Sequence, residues 1–113
     1  MKRAGIHLIC EFWQTQCIDS NPQKILKVLK EAAKASGSKV VGESFYAFQP
    51  HGFSAIVLLA ESHISLHYWP EFEYLAVDIF TCGKTNPYKA LEVLKKSFNP
   101  KNLQLVEVKR GLI

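Results

Sequence analysis

The sequence predicts an α+β domain, a two-layer sandwich in which one antiparallel sheet carries two helices on one face. Three observations predict it. Two segments place apolar residues at helical spacing, six short runs are rich in β-branched and aromatic residues, and turn residues separate four consecutive runs as in a meander.

From Ile6 to Trp13 apolar and polar residues roughly alternate, which reads as a strand. Asp19, Ser20 and Asn21 then offer capping side chains, and Pro22 suits a first helical turn. Ile25, Leu26, Val28, Leu29, Ala32 and Ala33 form the apolar stripe of the helix that follows, with lysines on its other face and Gly37 as its stop. Strands are expected at about 39–48, 53–60, 64–69 and 74–81, with turns at Pro50-His51-Gly52 and Pro70-Glu71. Cys82 to Asn86 reads as a loop, Pro87 opens a second helix through Phe98, and 103–109 reads as a last strand. The order is β-α-β-β-β-β-α-β, without repeat, linker or low-complexity segment.

With 113 residues and 48% hydrophobic content the chain suits one domain with one core. Its 14 Lys and Arg against 10 Asp and Glu give a charge of +4, scattered rather than gathered into a basic arm, so no nucleic-acid partner is expected. Cys10, Cys17 and Cys82 form no Cys-x-x-Cys pair, and an odd count suits a reducing compartment. The start of the chain lacks a signal-peptide pattern and no run approaches the ~20 apolar residues of a membrane span. The expectation is a cytoplasmic protein with no membrane partner.

The segment that points to chemistry is Glu61-Ser62-His63-Ile64-Ser65-Leu66-His67-Tyr68-Trp69-Pro70-Glu71, followed by Phe80-Thr81-Cys82-Gly83. Together with His7-Leu8 and Phe48-Gln49-Pro50-His51-Gly52-Phe53-Ser54 upstream, it resembles the small prokaryotic S-adenosylmethionine decarboxylase proenzymes, in the same order over most of the chain. Tyr68 departs from the pattern, standing where a small hydroxyl residue is common. The resemblance implies self-cleavage between Glu61 and Ser62, giving a β chain of residues 1–61 and an α chain of residues 62–113. Ser62 is then the precursor of a pyruvoyl group that forms a Schiff base with substrate, so neither pyridoxal phosphate nor a metal is needed. It further implies His67 as proton acceptor in processing, Ser54 as a stabiliser of the acyl-shift intermediate and Cys82 as proton donor in catalysis. Phe48 would stack on adenine and Glu71 would bind ribose. The implied activity is decarboxylation of S-adenosylmethionine to the aminopropyl donor for polyamine (spermidine) synthesis.

Spacing adds a geometric expectation. A hairpin turning near Ala60-Glu61 sets Ser54 opposite His67, and a second turning near Glu71 sets Cys82 opposite Ala60. Ser62 and His67 sit on one strand roughly 16 Å apart and face opposite ways, so they should not meet within one chain. A homodimer with sites shared across a two-fold axis follows, its two sandwiches pairing into four layers. Larger family members, which resemble a fused duplication, fit that arrangement.

Other readings stand beside these. Taken alone, Ser62 is a turn hydroxyl, His67 a satisfied strand histidine and Glu71 a turn carboxylate. Cys10 reads as a small buried hydrophobe, Cys17 as a loop residue, Trp69 as a core aromatic and Phe48 as either core or site. His63 and His67 lie about 13 Å apart on a strand and cannot share a metal ion. An arginine decarboxylase on the same scaffold is the nearest alternative function, since Glu71 suits a guanidinium as well as a ribose. A non-enzymatic α+β interaction domain is the alternative of another class.

Overall fold

The computed structural model describes residues 3–15 and 18–112. Cys17, read above as a loop residue, lies outside them. Strand β1 (Gly5–Trp13) leads to helix α1 (Pro22–Ser36), and four strands follow: β2 (Lys39–Ala47), β3 (Phe53–Ala60), β4 (Ser62–Trp69) and β5 (Tyr74–Cys82). Helix α2 (Pro87–Phe98) and strand β6 (Asn102–Arg110) complete the predicted order. One sheet runs β2-β3-β4-β5-β1-β6 with every neighbouring pair antiparallel.

Local chemistry sets the helix ends. The Asn21 side chain accepts from the backbone N–H groups of Gln23 and Lys24, and Pro22 occupies the first turn, where no donor is missed. At the other end Gly37 takes a left-handed conformation (φ 89°) that glycine adopts without steric cost, and it donates back into the last turn. The buried faces, Ile25, Leu29, Ala32 and Ala33 of α1 with Ala90, Leu91, Leu94 and Phe98 of α2, close over one face of the sheet. Each fully buried Leu or Ile there contributes about 1.5–3 kcal/mol.

Strand alternation supplies the other half of the core. Leu8, Cys10 and Phe12, then Phe53, Ala55, Val57 and Leu59, then Ile64 and Leu66, then Leu75, Val77 and Ile79 all point to the helices and are buried. The opposite residues form an open face with no helix over it. Ile9, Leu58, Trp69, Val106 and Val108 are exposed there, and Asp78, His7 and His63 lie among them. Trp69, expected in the core, is instead 42% exposed because it shares the outward parity of His67.

The β3–β4 hairpin has the expected register. Leu59 pairs with Ser62 around Ala60-Glu61, which sets Ser54 opposite His67. The β4–β5 hairpin differs by one residue. A 3-10 turn at Pro70–Phe72 and a left-handed Glu73 (φ 49°) make a four-residue connection, so Trp69 pairs with Tyr74 and Ser62 with Thr81. Cys82 therefore falls beyond Thr81, opposite Gly5 of β1, and not opposite Ala60. Among the described residues no helix is long and apolar enough to cross a membrane.

Candidate active site

Two groups of the predicted residues form, one toward each end of strand β4. At the first, Ser54 Oγ and His67 Nδ1 lie 2.6 Å apart across the β3–β4 pair. They line a cavity of about 540 Å³ together with Phe48, Glu71, His51 and Trp69. That volume is within the usual range for a small-molecule site. The Phe48 ring is 47% exposed and so is a wall of this cavity and not core. Glu71 reaches it from the 3-10 turn, with His51 Nε2 3.6 Å from its carboxylate. Behind His67, Trp69 stacks on Tyr74 at 5.4 Å, and Tyr74 on Trp13 at 4.3 Å.

At the other end lie Ser62 and Cys82. Ser62 opens β4, half-buried, with φ at +96°, a region costly for any residue with a side chain. The peptide before Glu61 is cis, and Glu61 itself is exposed. Cys82 ends β5 with its thiol half-buried, and its carbonyl is held by the backbone N–H and the hydroxyl of Thr85, at 3.1 and 2.8 Å. Gly5 beside it is a close approach, since a Cβ there would lie 2.2 Å from the Thr81 carbonyl oxygen. Cys10 contrasts with Cys82. It is fully buried in the core, and burial above all pushes its thiol up to about 12, so it stays protonated and inert.

Three residues beside these groups carry no site role in the sequence reading. His51 lines the cavity although only its neighbours were assigned roles. Trp69 was legible from strand parity, two positions from His67. His7, given no role, has its Nε2 3.1 Å from Asp78 Oδ1 and stacks on Phe80, whose other edge meets His63. No short sequence signal joins His7 to residues more than fifty positions away.

The family model described as S-adenosylmethionine decarboxylase matches residues 6–111. This chain belongs to the S-adenosylmethionine decarboxylase family. A relative from Thermotoga maritima, named S-adenosylmethionine decarboxylase proenzyme, is 43% identical over 114 residues, covering 98% of this chain and 87% of its own. Relatives of the same name from Thermomicrobium roseum and Methanococcus maripaludis are 41% and 38% identical over the whole of this chain, and over 98% and 94% of theirs. The crystal structure of the adenosylmethionine decarboxylase from Aquifex aeolicus superposes with a TM-score of 0.86 at 32% identity, over 100% of this chain and 95% of that one. The arginine and interaction-domain alternatives gain no support from these names.

Proposed function

We propose that the chain is the proenzyme of a pyruvoyl-dependent S-adenosylmethionine decarboxylase, which cuts itself into fragments 1–61 and 62–113 and then makes the aminopropyl donor for polyamine synthesis. The observation that carries this reading is the gathering of Phe48, Ser54, His67 and Glu71 around one cavity. The proenzyme names of the relatives support it.

Processing begins when Ser62 Oγ attacks the Glu61 carbonyl carbon. A C–O bond forms, the C–N bond breaks, and the hydroxyl proton passes through a base to the freed nitrogen, leaving an ester. Loss of the Ser62 Cα proton then expels Glu61 as a carboxylate. Water adds and ammonia leaves, so a ketone remains at the former Ser62. The left-handed Ser62 stores about 1–3 kcal/mol of strain, and its φ ceases to exist once the amide is broken, so strain favours the cut. His67 accepts a proton in this sequence, and Ser54, bonded to it, steadies the acyl-shift intermediate.

The residues present fit the group. Ser62 sits at a strand start whose pairing with Thr81 fixes the backbone on its C-terminal side, while the exposed Glu61 side is free to leave. A pyruvoyl group supplies a ketone that bonds the substrate amine and an amide carbonyl that takes up the electron pair released with CO2. Phe48 offers its exposed ring to adenine, and the Glu71 carboxylate accepts from the ribose hydroxyls. Cys82 returns a proton to the former α-carbon and so protects the enzyme from transaminating itself.

His67 and Ser62 lie about 16 Å apart along one strand, so the complete site needs a second copy. A two-fold axis lying between two open faces, perpendicular to the strands, sets the His67 end of one protomer against the Ser62 and Cys82 end of the other. The same packing covers Ile9, Leu58, Val106 and Val108 and gives a four-layer dimer. A cytoplasmic site of action fits the free thiols of Cys10 and Cys82.

The test is CO2 release from carboxyl-labelled S-adenosylmethionine by the processed protein, with labelled arginine in parallel. Release from S-adenosylmethionine alone is expected. Release from arginine alone would overturn the substrate assignment.

A further inference from the structure

Thr81 is 0% exposed, and its Oγ1 is a buried side-chain oxygen that meets no hydrogen-bond partner, the single such atom among the described residues. A buried hydroxyl left unpaired costs about 1–3 kcal/mol. Native folds keep few such groups, and each asks for a reason. The position of this one supplies it. Thr81 is the residue directly opposite Ser62 across the β4–β5 pair. Opposed residues of antiparallel strands hold their Cβ atoms roughly 4.5–5.5 Å apart, close enough for hydroxyl contact. The strand cannot slide away to relieve the cost. Thr81 also faces Ile6 of β1, and the Thr81 carbonyl is pressed against Gly5, where even a methyl group has no room.

We propose that the Thr81 hydroxyl is a catalytic hydrogen-bond donor in the self-cleavage, bonding the oxygen of the Glu61 carbonyl as it gains negative charge. This rests on the reading that the chain cuts itself at Glu61-Ser62. When Ser62 Oγ bonds the Glu61 carbon, the carbonyl π electrons move onto its oxygen. That oxygen returns them when the C–N bond breaks and the nitrogen takes the proton lost by Ser62. The unpaired hydroxyl finds its partner only while that charge exists. A bond absent from the uncut chain and present in the intermediate lowers the barrier, whereas one present in both does not.

The test uses the full-length chain. Thr81→Val keeps the shape and removes the hydroxyl, and Thr81→Ser keeps the hydroxyl. Cleavage is timed by denaturing electrophoresis after refolding, and the melting temperature is read in a Ser62→Ala background that stays uncut. Thr81→Val is expected to slow cleavage by roughly 10- to 1,000-fold, the effect of losing one such donor. Thr81→Ser should stay within about tenfold of wild type, as expected for a retained donor. The uncut Thr81→Val chain should melt no lower than its parent, because an unpaired group has been removed. Cleavage of Thr81→Val at the wild-type rate would overturn the proposal, and so would a slowed variant that also melts lower, which marks a structural role. If wild-type chain does not cleave at all, the self-cleavage reading itself falls first.

Discussion

His63 is half-buried on the open face, with His7, Asp78 and Arg110 as its titratable neighbours. Burial above all, then His7, holds its pKa below the ordinary histidine value, while Asp78 pulls the other way. The unfolded chain therefore takes up a proton near pH ~6.5 that the fold resists. The stability contributed by neutral His63 is complete above that value and is lost as pH falls through the lower folded value. The urea midpoint of the uncut Ser62→Ala chain should fall between about pH 7 and pH 5, and adding His63→Gln should flatten that fall. An unchanged slope would remove His63 from the account. The individual residues differ in how legible they were. Ser62, His67 and Cys82 stood out through their motifs. Thr81 has no role legible in the sequence, because its unpaired hydroxyl depends on what fails to reach it from its two neighbouring strands, β4 and β1.

Elements were legible wherever the signal is local. Asn21-Pro22 and Gly37 mark the ends of α1 through bonds made within a few residues, and both ends fall where the sequence puts them. Replacing Asn21 by Ala leaves the N–H groups of Gln23 and Lys24 without their acceptor. That should cost about 1 kcal/mol and lower the melting temperature of the uncut chain by about 4–8 °C, measured by circular dichroism. No shift would mean that solvent replaces the cap fully. The two hairpins show where legibility stops. A two-residue turn at Ala60-Glu61 leaves one register, so Ser54 opposite His67 could be read in advance. Pro70-Glu71-Phe72-Glu73 has no glycine or asparagine to announce that Glu73 turns left-handed, so the register of Cys82 came out one residue away.

At the scale of the whole molecule, the sheet holds the two halves of the site at opposite ends of β4, and two chains are needed to join them. Ser62→Ala and His67→Ala chains, each deficient alone, should complement when refolded together. The mixed pair restores one site in which the Ser62→Ala chain lends its His67 to the Ser62 of the other. Random pairing then lets about a quarter of all chains be cut, every one of them a His67→Ala chain. An uncut mixture would refute the shared site. The β2-to-β5 meander and the single helical face were implied by the turn residues, the apolar stripe and strand alternation, whereas the insertion of β1 between β5 and β6 and the gathering of Ile9, Leu58 and Val108 on one open face depend on pairings distant in sequence. Beneath all of this is the claim that the chain makes its own electrophile, and the mass of the purified protein under denaturing conditions tests it most directly. Two polypeptides are predicted, one ending at Glu61 and one beginning at a blocked former Ser62, whose masses sum to the intact chain plus water minus ammonia. A single continuous chain that still releases CO2 from S-adenosylmethionine would contradict it.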